Sequence, residues 1–186
     1  MTRAPTTIGT GRCRKLRADD VHKHGHDALM PKRKEPLTNP IITSMLQLPE
    51  GTPVGTSTVQ RATVEWASIF ACYATLAQTG MRKSEVALAA GAEFGKTHLS
   101  RASLAWRIGG QFVVNPTMAQ LDALADGDYA LLTVACSKAD QYGLIWSPAP
   151  IILPFHSDVR LFPICAAREL AHLEKVYTRS GDERRS

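Results

Sequence analysis

"LAQTGMRKSEVALAAG", residues 76–91, carries a Thr-Gly helix stop, an arginine two residues later, and a second helical start with a glutamate three positions beyond that arginine. Upstream, Ser57 and Gln60 form a capping-box pattern, and Val59, Ala62, Trp66, Ile69, Phe70, Tyr73 and Leu76 follow at spacings of three and four. That period predicts a helix with one apolar side, ended by Gly80. A second, short helix is expected over roughly 83–90, stopping at Gly91. Arg82 therefore sits at a tight corner between two apolar helices, a position where a charge has to have a purpose or a partner.

On the N-terminal side of this corner, Thr38 is placed to cap a short helix carrying Ile41, Ile42, Met45 and Leu46, which the Pro-Glu-Gly-Thr-Pro stretch breaks. On the C-terminal side the period changes. "SLAWRI", "QFVV", "YALLTVAC" and "APIILPF" are short and rich in β-branched and aromatic residues, bounded by Gly-Gly, Asp-Gly-Asp and proline, as strands are. A last helix is expected from about Pro163 through Ala167, Leu170, Leu173 and Val176, with residues 179–186 frayed. The fold class read from this order is α+β, mainly helical, with a small antiparallel sheet.

The 186 residues suffice for one ordinary core. No apolar run approaches the roughly 18 residues of a membrane span, and the start has no apolar stretch after its basic residues, so neither a membrane protein nor a secreted one is expected. Cys13, Cys72, Cys136 and Cys165 form no Cys-x-x-Cys pair and are expected as reduced thiols. Residues 1–36 hold nine Lys/Arg and four Asp/Glu, whereas the remainder holds thirteen of each. The net charge of +5 thus belongs to the N-terminal segment, which without apolar periodicity reads as a disordered basic arm. His22, His24 and His26 lack a companion Cys or Asp set and read as polar tail instead of a metal site. The cluster Lys32, Arg33 and Lys34 in "PKRKEP" reads as a phosphate-contacting strap, a nuclear import signal or a solvated charge run.

The order of these pieces resembles the catalytic domain of tyrosine recombinases, the phage-integrase family. The matching segments are "PLT" at 36–38, "QTGMRKSEVALA" at 78–89, "LAW" at 104–106, and "SKADQYG" at 137–143 with "LP" at 153–154. Enzymes of this type cut a DNA strand by attack of a tyrosine on a phosphodiester, so negative charge builds on the non-bridging oxygens. A guanidinium meets such oxygens with two parallel hydrogen bonds and stays charged at any cellular pH. The resemblance implies that Arg82 clamps the phosphate, helped by free N–H groups at a helix start. It implies further that Glu85 supports Arg82, and that Lys138 on a hairpin protonates the departing 5′ oxygen. DNA is the implied partner, contacted also by Lys32, Arg33, Lys34 and Lys83, with no cofactor and no metal.

The family's later His-x-x-Arg pair and its tyrosine nucleophile find no match. His156 and Arg160 are four apart and read as loop; Tyr177 falls on the last helix, and Tyr73, Tyr129 and Tyr142 on core or hairpin positions. The expectation is a partial recombinase domain over 37–178, truncated or relic, associated with DNA integration and recombination but unable to cleave alone. Unmatched apolar faces such as "ICAARELAHLEKV" would then favour self-association or a partner. The alternative is a non-catalytic DNA-binding or interaction module that uses the basic arm. "GAEFGKT" at 91–97 is one residue short of a P-loop and follows a helix, which argues against nucleotide binding. An intracellular location is expected: the nucleus in a eukaryote, the cytoplasm or nucleoid in a bacterium.

Overall fold

The computed structural model describes residues 37–87, 99–134 and 149–183, all within the unit Leu37–Ser186. Helix α1 covers Asn39–Leu46, with Pro40 in the first turn, where its missing N–H leaves nothing unpaired. Thr38 is the cap position, but its hydroxyl makes no capping bond. Only Ile42 and Leu46 of the expected apolar set are buried; Ile41 faces solvent.

A two-residue hairpin follows, β1 (Pro53–Val54) against β2 (Ser57–Thr58). It corrects the predicted capping box: Ser57 is paired with Val54 and so cannot start a helix. Helix α2 instead covers Val64–Thr79, capped by Thr63, whose Oγ1 accepts from the Trp66 N–H at 3.4 Å. Its buried face is Ala67, Phe70, Ala71, Ala74 and Thr75, while Trp66, Ile69, Tyr73 and Leu76 are only half-buried. Gly80 ends it as expected, at φ 68°, donating to the Leu76 carbonyl at 2.9 Å. That left-handed conformation is nearly free of cost for glycine alone. Helix α3, Lys83–Val86, is a single turn.

A 3-10 turn, Arg101–Ser103, leads into β3 (Leu104–Ile108), which turns through Gly109 and Gly110 into β4 (Gln111–Val113). Both glycines have positive φ, the geometry that two-residue hairpins demand. A short helix α4, Met118–Asp122, precedes β5 (Tyr129–Leu132) and β6 (Ile151–Pro154). The antiparallel sheet has the order β4-β3-β5-β6. Its inner face carries Leu104, Trp106, Ile108, Ala130, Leu132 and Leu153, all buried. All four strands lie within their predicted segments; α4 and the small hairpin had no period long enough to register.

Helix α5 covers Ala166–Glu183 and packs along α2. It starts three residues after Pro163 and runs past residue 179, where fraying is expected. The late start has a physical cause. Arg168 donates to the carbonyls of His156, Phe162 and Pro163 at 3.0 to 3.1 Å and so holds that loop out of the helix. The Ala166 N–H is captured by Gln78 Oε1 on α2 at 2.6 Å. Ala166, Ala167 and Ala171 are buried, as are Ala67, Ala71 and Ala74 of α2. Small side chains on the buried face of each helix let the backbones approach closely.

The "ICAARELAHLEKV" face is thus largely covered within this unit, against expectation. Exposed apolar side chains stand elsewhere, at Phe112 and Ile152 on the sheet, at Val114 just past β4, and at Val159, Leu161 and Phe162 in the loop before α5. Among the described residues no helix is long and apolar enough to cross a membrane.

Ala166 is fully buried with the Gln78 carboxamide seated on its N–H, and Gln78 itself is exposed, so water can replace a truncated side chain. Gln78→Ala is expected to lower stability by about 0.5 to 1.5 kcal/mol, the net worth of one hydrogen bond. Gln78→Glu, which keeps an acceptor at a helix N-terminus, is expected to lose little or nothing. Urea unfolding of the two variants checks both.

Candidate nucleic-acid interface

Arg82 occupies the extended cap position before α3, with φ −74° and ψ 147°. Its own N–H donates to Glu85 Oε2 at 2.8 Å, and the Glu85 N–H donates to the Arg82 carbonyl at 2.9 Å. A guanidinium has no acceptor, so only the returning half of a capping box exists: Glu85 reaches back and fixes the Arg82 backbone. The nearest guanidinium nitrogen is 3.8 Å from Glu85 Oε1, a loose contact on a side chain that is 69% exposed. Such an exposed pair adds little stability. It leaves most of the five Arg82 donors open to solvent or to a ligand.

The described helix at this corner is shorter than the sequence predicts, four residues against about eight. One turn aligns too few peptide dipoles to attract an anion appreciably, so any preference for phosphate rests on the guanidinium. Lys83 is exposed at the start of that turn. Burial pushes the Cys72 thiol up, and the Lys83 ammonium pulls it only part of the way back. Cys72 is therefore a neutral thiol, and Cys165 is buried and unbridged. Lys138, Lys32, Arg33 and Lys34 lie outside the described residues, as do the histidine run, Cys13, Cys136, Tyr142 and the 91–97 segment.

The remaining candidates are engaged in structure. His156 and Arg160 belong to the loop between β6 and α5, where the His156 ring stacks on Phe162 with centroids 3.8 Å apart. Tyr177 lies under the Arg101 guanidinium at 5.4 Å, Tyr129 hydrogen-bonds Arg107, and Tyr73 packs on the core. Among the described residues no hydrogen bond or cation–π pair joins a tyrosine to Arg82.

Two arginines escaped the sequence reading. Arg101, in the 3-10 turn, donates through Nε and Nη2 to Glu174 Oε2, both at 2.8 Å. Glu174 is buried on the inner side of α5, and an ionised group there needs such a partner. The pair borders a cleft of about 420 Å3 that also touches Cys72, Leu170, Leu173 and Tyr177. Glu174 falls four residues after Leu170 on the apolar stripe; a charge on that stripe was the available signal. Arg107 alternates with Trp106 along β3 and so projects from the opposite face of the sheet. A single charge inside the otherwise apolar strand segment "LAWRI" was its signal.

Two aspartates tie neighbouring segments together, one loop to loop and the other α4 to α5. Asp126 accepts from the Ser157 N–H at 2.8 Å and its hydroxyl at 3.2 Å; Asp122 accepts from Lys175 at 2.6 Å. The Ser157 backbone bond holds the Asp126 carboxyl below the ordinary aspartate range, and the hydrogen bond from Lys175 does the same for Asp122.

No family model, curated protein or solved structure matches the chain.

A carboxyl whose folded-state pKa is depressed stabilises the fold above its unfolded value and loses that contribution as pH falls through the folded value. Stability is therefore expected to decline below about pH 4. Asp126→Asn and Asp122→Asn should each flatten that acid limb while lowering stability at pH 7. Thermal melting from pH 7 down to acid checks the sign; an unchanged limb in both variants contradicts it.

Proposed function

We propose that this chain is a DNA-binding protein of the tyrosine-recombinase type, associated with DNA integration and recombination. In this reading Arg82 clamps a backbone phosphate and Glu85 holds it in place. The observation that carries the proposal is the state of Arg82: its backbone is tied by Glu85 while its guanidinium stays open. A fixed base with an available planar cation is what a phosphate clamp requires.

The order of elements supports the reading. A long helix ends at Gly80, the arginine corner follows, and an antiparallel sheet comes next in which the β5 to β6 connection contains Lys138. By the resemblance, Lys138 would bring an ammonium to the same phosphate. The reading is one of binding and positioning, with no strand cleavage by this chain alone. His156 and Arg160 are loop residues, and the described tyrosines are engaged away from Arg82.

A second reading, a non-catalytic module that grips DNA only through residues 1–36, is favoured by one observation: all the excess positive charge is in that segment.

Fluorescence anisotropy with a duplex separates the two. Under the first reading Arg82→Ala weakens duplex binding by about five- to thirtyfold. It also lowers the slope of log affinity against log salt by roughly one phosphate's share, about 0.9. Because the side chain is exposed, melting should be unchanged. If Arg82→Ala binds as the native chain does and removal of residues 1–36 abolishes binding, the first reading is wrong and the second stands.

A further inference from the structure

We infer that the outer face of the four-stranded sheet is a stacking platform for single-stranded nucleic acid, built on Phe112, Arg107 and Tyr129. The inference goes beyond the recombinase reading and does not need Arg82. Directly opposed residues of an antiparallel sheet share a face. The register Phe112↔Arg107, Arg107↔Tyr129 and Tyr129↔Pro154 therefore makes one continuous row across all four strands. Ala105, Leu131 and Ile152 form the next row on the same face. Trp106, Ala130 and Leu153 alternate with them and fill the core behind.

This outer face is not a shielded one. Phe112 is 69% exposed and Ile152 59%, and Tyr129 on the same face is half-buried. Arg107 lies between the two rings, its guanidinium carbon 5.8 Å from the centroid of each. Among the described residues it donates to neutral oxygens, the Gly110 carbonyl and the Tyr129 hydroxyl, both at 3.3 Å. Among the described residues no carboxylate pairs with it, and the two rows contain one cation and no anion. With strands about 4.8 Å apart, the sequence across the sheet is ring, cation, ring over about 10 Å.

The chemistry of that strip selects the occupant. A partner must offer flat π faces for Phe112 and Tyr129 and negative charge for Arg107, in close alternation. Single-stranded nucleic acid does so, with unstacked bases and a phosphate at every step. Duplex DNA hides its base faces in the helix stack and offers only phosphates, so it has no use for Phe112. An acidic peptide would answer Arg107 but not the rings. Unpaired bases are also what strand exchange generates, so the surface suits a protein handling opened DNA without depending on that role.

The test uses the full chain and a fluorescein-labelled oligothymidylate beside a duplex of equal length, read by anisotropy. Phe112→Ala is expected to weaken single-strand binding by about tenfold and leave the duplex within about twofold, since charge alone governs that complex. Phe112→Leu, which keeps apolar area but removes the ring face, is expected to lose as much as Phe112→Ala. Arg82→Ala should show the opposite preference, so failure of the phosphate clamp and failure of the platform are read separately. The exposure of Phe112 predicts unchanged melting for both of its variants. The inference is overturned by native single-strand affinity in Phe112→Ala, by recovery in Phe112→Leu, or by no single-strand binding in the native chain. It is equally overturned if light scattering shows Phe112→Ala dissolving an oligomer with single-strand affinity intact, which would make the face a contact between copies.

Discussion

The contact between α2 and α5 is the constraint from which the rest of the unit follows. Alanines on both buried faces bring the two helices close, and the Gln78 carboxamide closes the junction by taking the first N–H of α5. Two residues later Gly80 turns the chain through a conformation that other residues resist. Two residues after that, Arg82 presents its charge. The lock between helices, the stop and the exposed guanidinium thus fall within five positions. The backbone of Arg82 is held at this corner by the Glu85 carboxylate, which accepts its N–H.

Five arginines of the unit differ in what receives their protons. Arg168 is committed to three backbone carbonyls that shape the loop before α5, and Arg61 to the Leu46 carbonyl and the face of Phe70. Arg101 compensates the buried Glu174. In each case an oxygen of the protein takes part of the fork, and the charge contributes to the fold. Arg82 and Arg107 differ. One is fixed through its backbone and the other through two aromatic rings and neutral oxygens. Both keep donors toward solvent on surfaces of different character, one suited to a phosphate alone and the other to phosphate plus base.

Much of this was legible in the sequence wherever a residue had a single physical use. Glycine at 80 ends a helix because few other residues tolerate the required φ, and short segments rich in β-branched and aromatic residues between turn residues, such as "SLAWRI" and "APIILPF", mark strands. Starts were harder to read. Ser57 and Thr63 both have cap chemistry, and a hairpin around Gly55 decided between them; Pro163 was outweighed by Arg168 and Gln78, whose partners are distant in sequence. The alanine faces were missed because a small side chain carries little hydrophobic signal even when its smallness is what permits close packing. Arg82 with Glu85 was visible as a spacing of three. Arg101, Arg107 and Glu174 acquire meaning only from contacts across the fold, whereas Lys138 and the basic arm are known here from the sequence alone.

A double-mutant cycle in duplex affinity on Arg82 and Lys138 tests the central claim most directly, because it asks whether two residues 56 positions apart in the sequence act on one phosphate. Convergence on a common anion predicts that Arg82→Ala and Lys138→Ala fail to add, with a coupling of about 0.5 to 3 kcal/mol. Losses that sum within about 0.3 kcal/mol, as for independent distant sites, would mean that Arg82 and Lys138 never share a ligand, and the recombinase reading would fall.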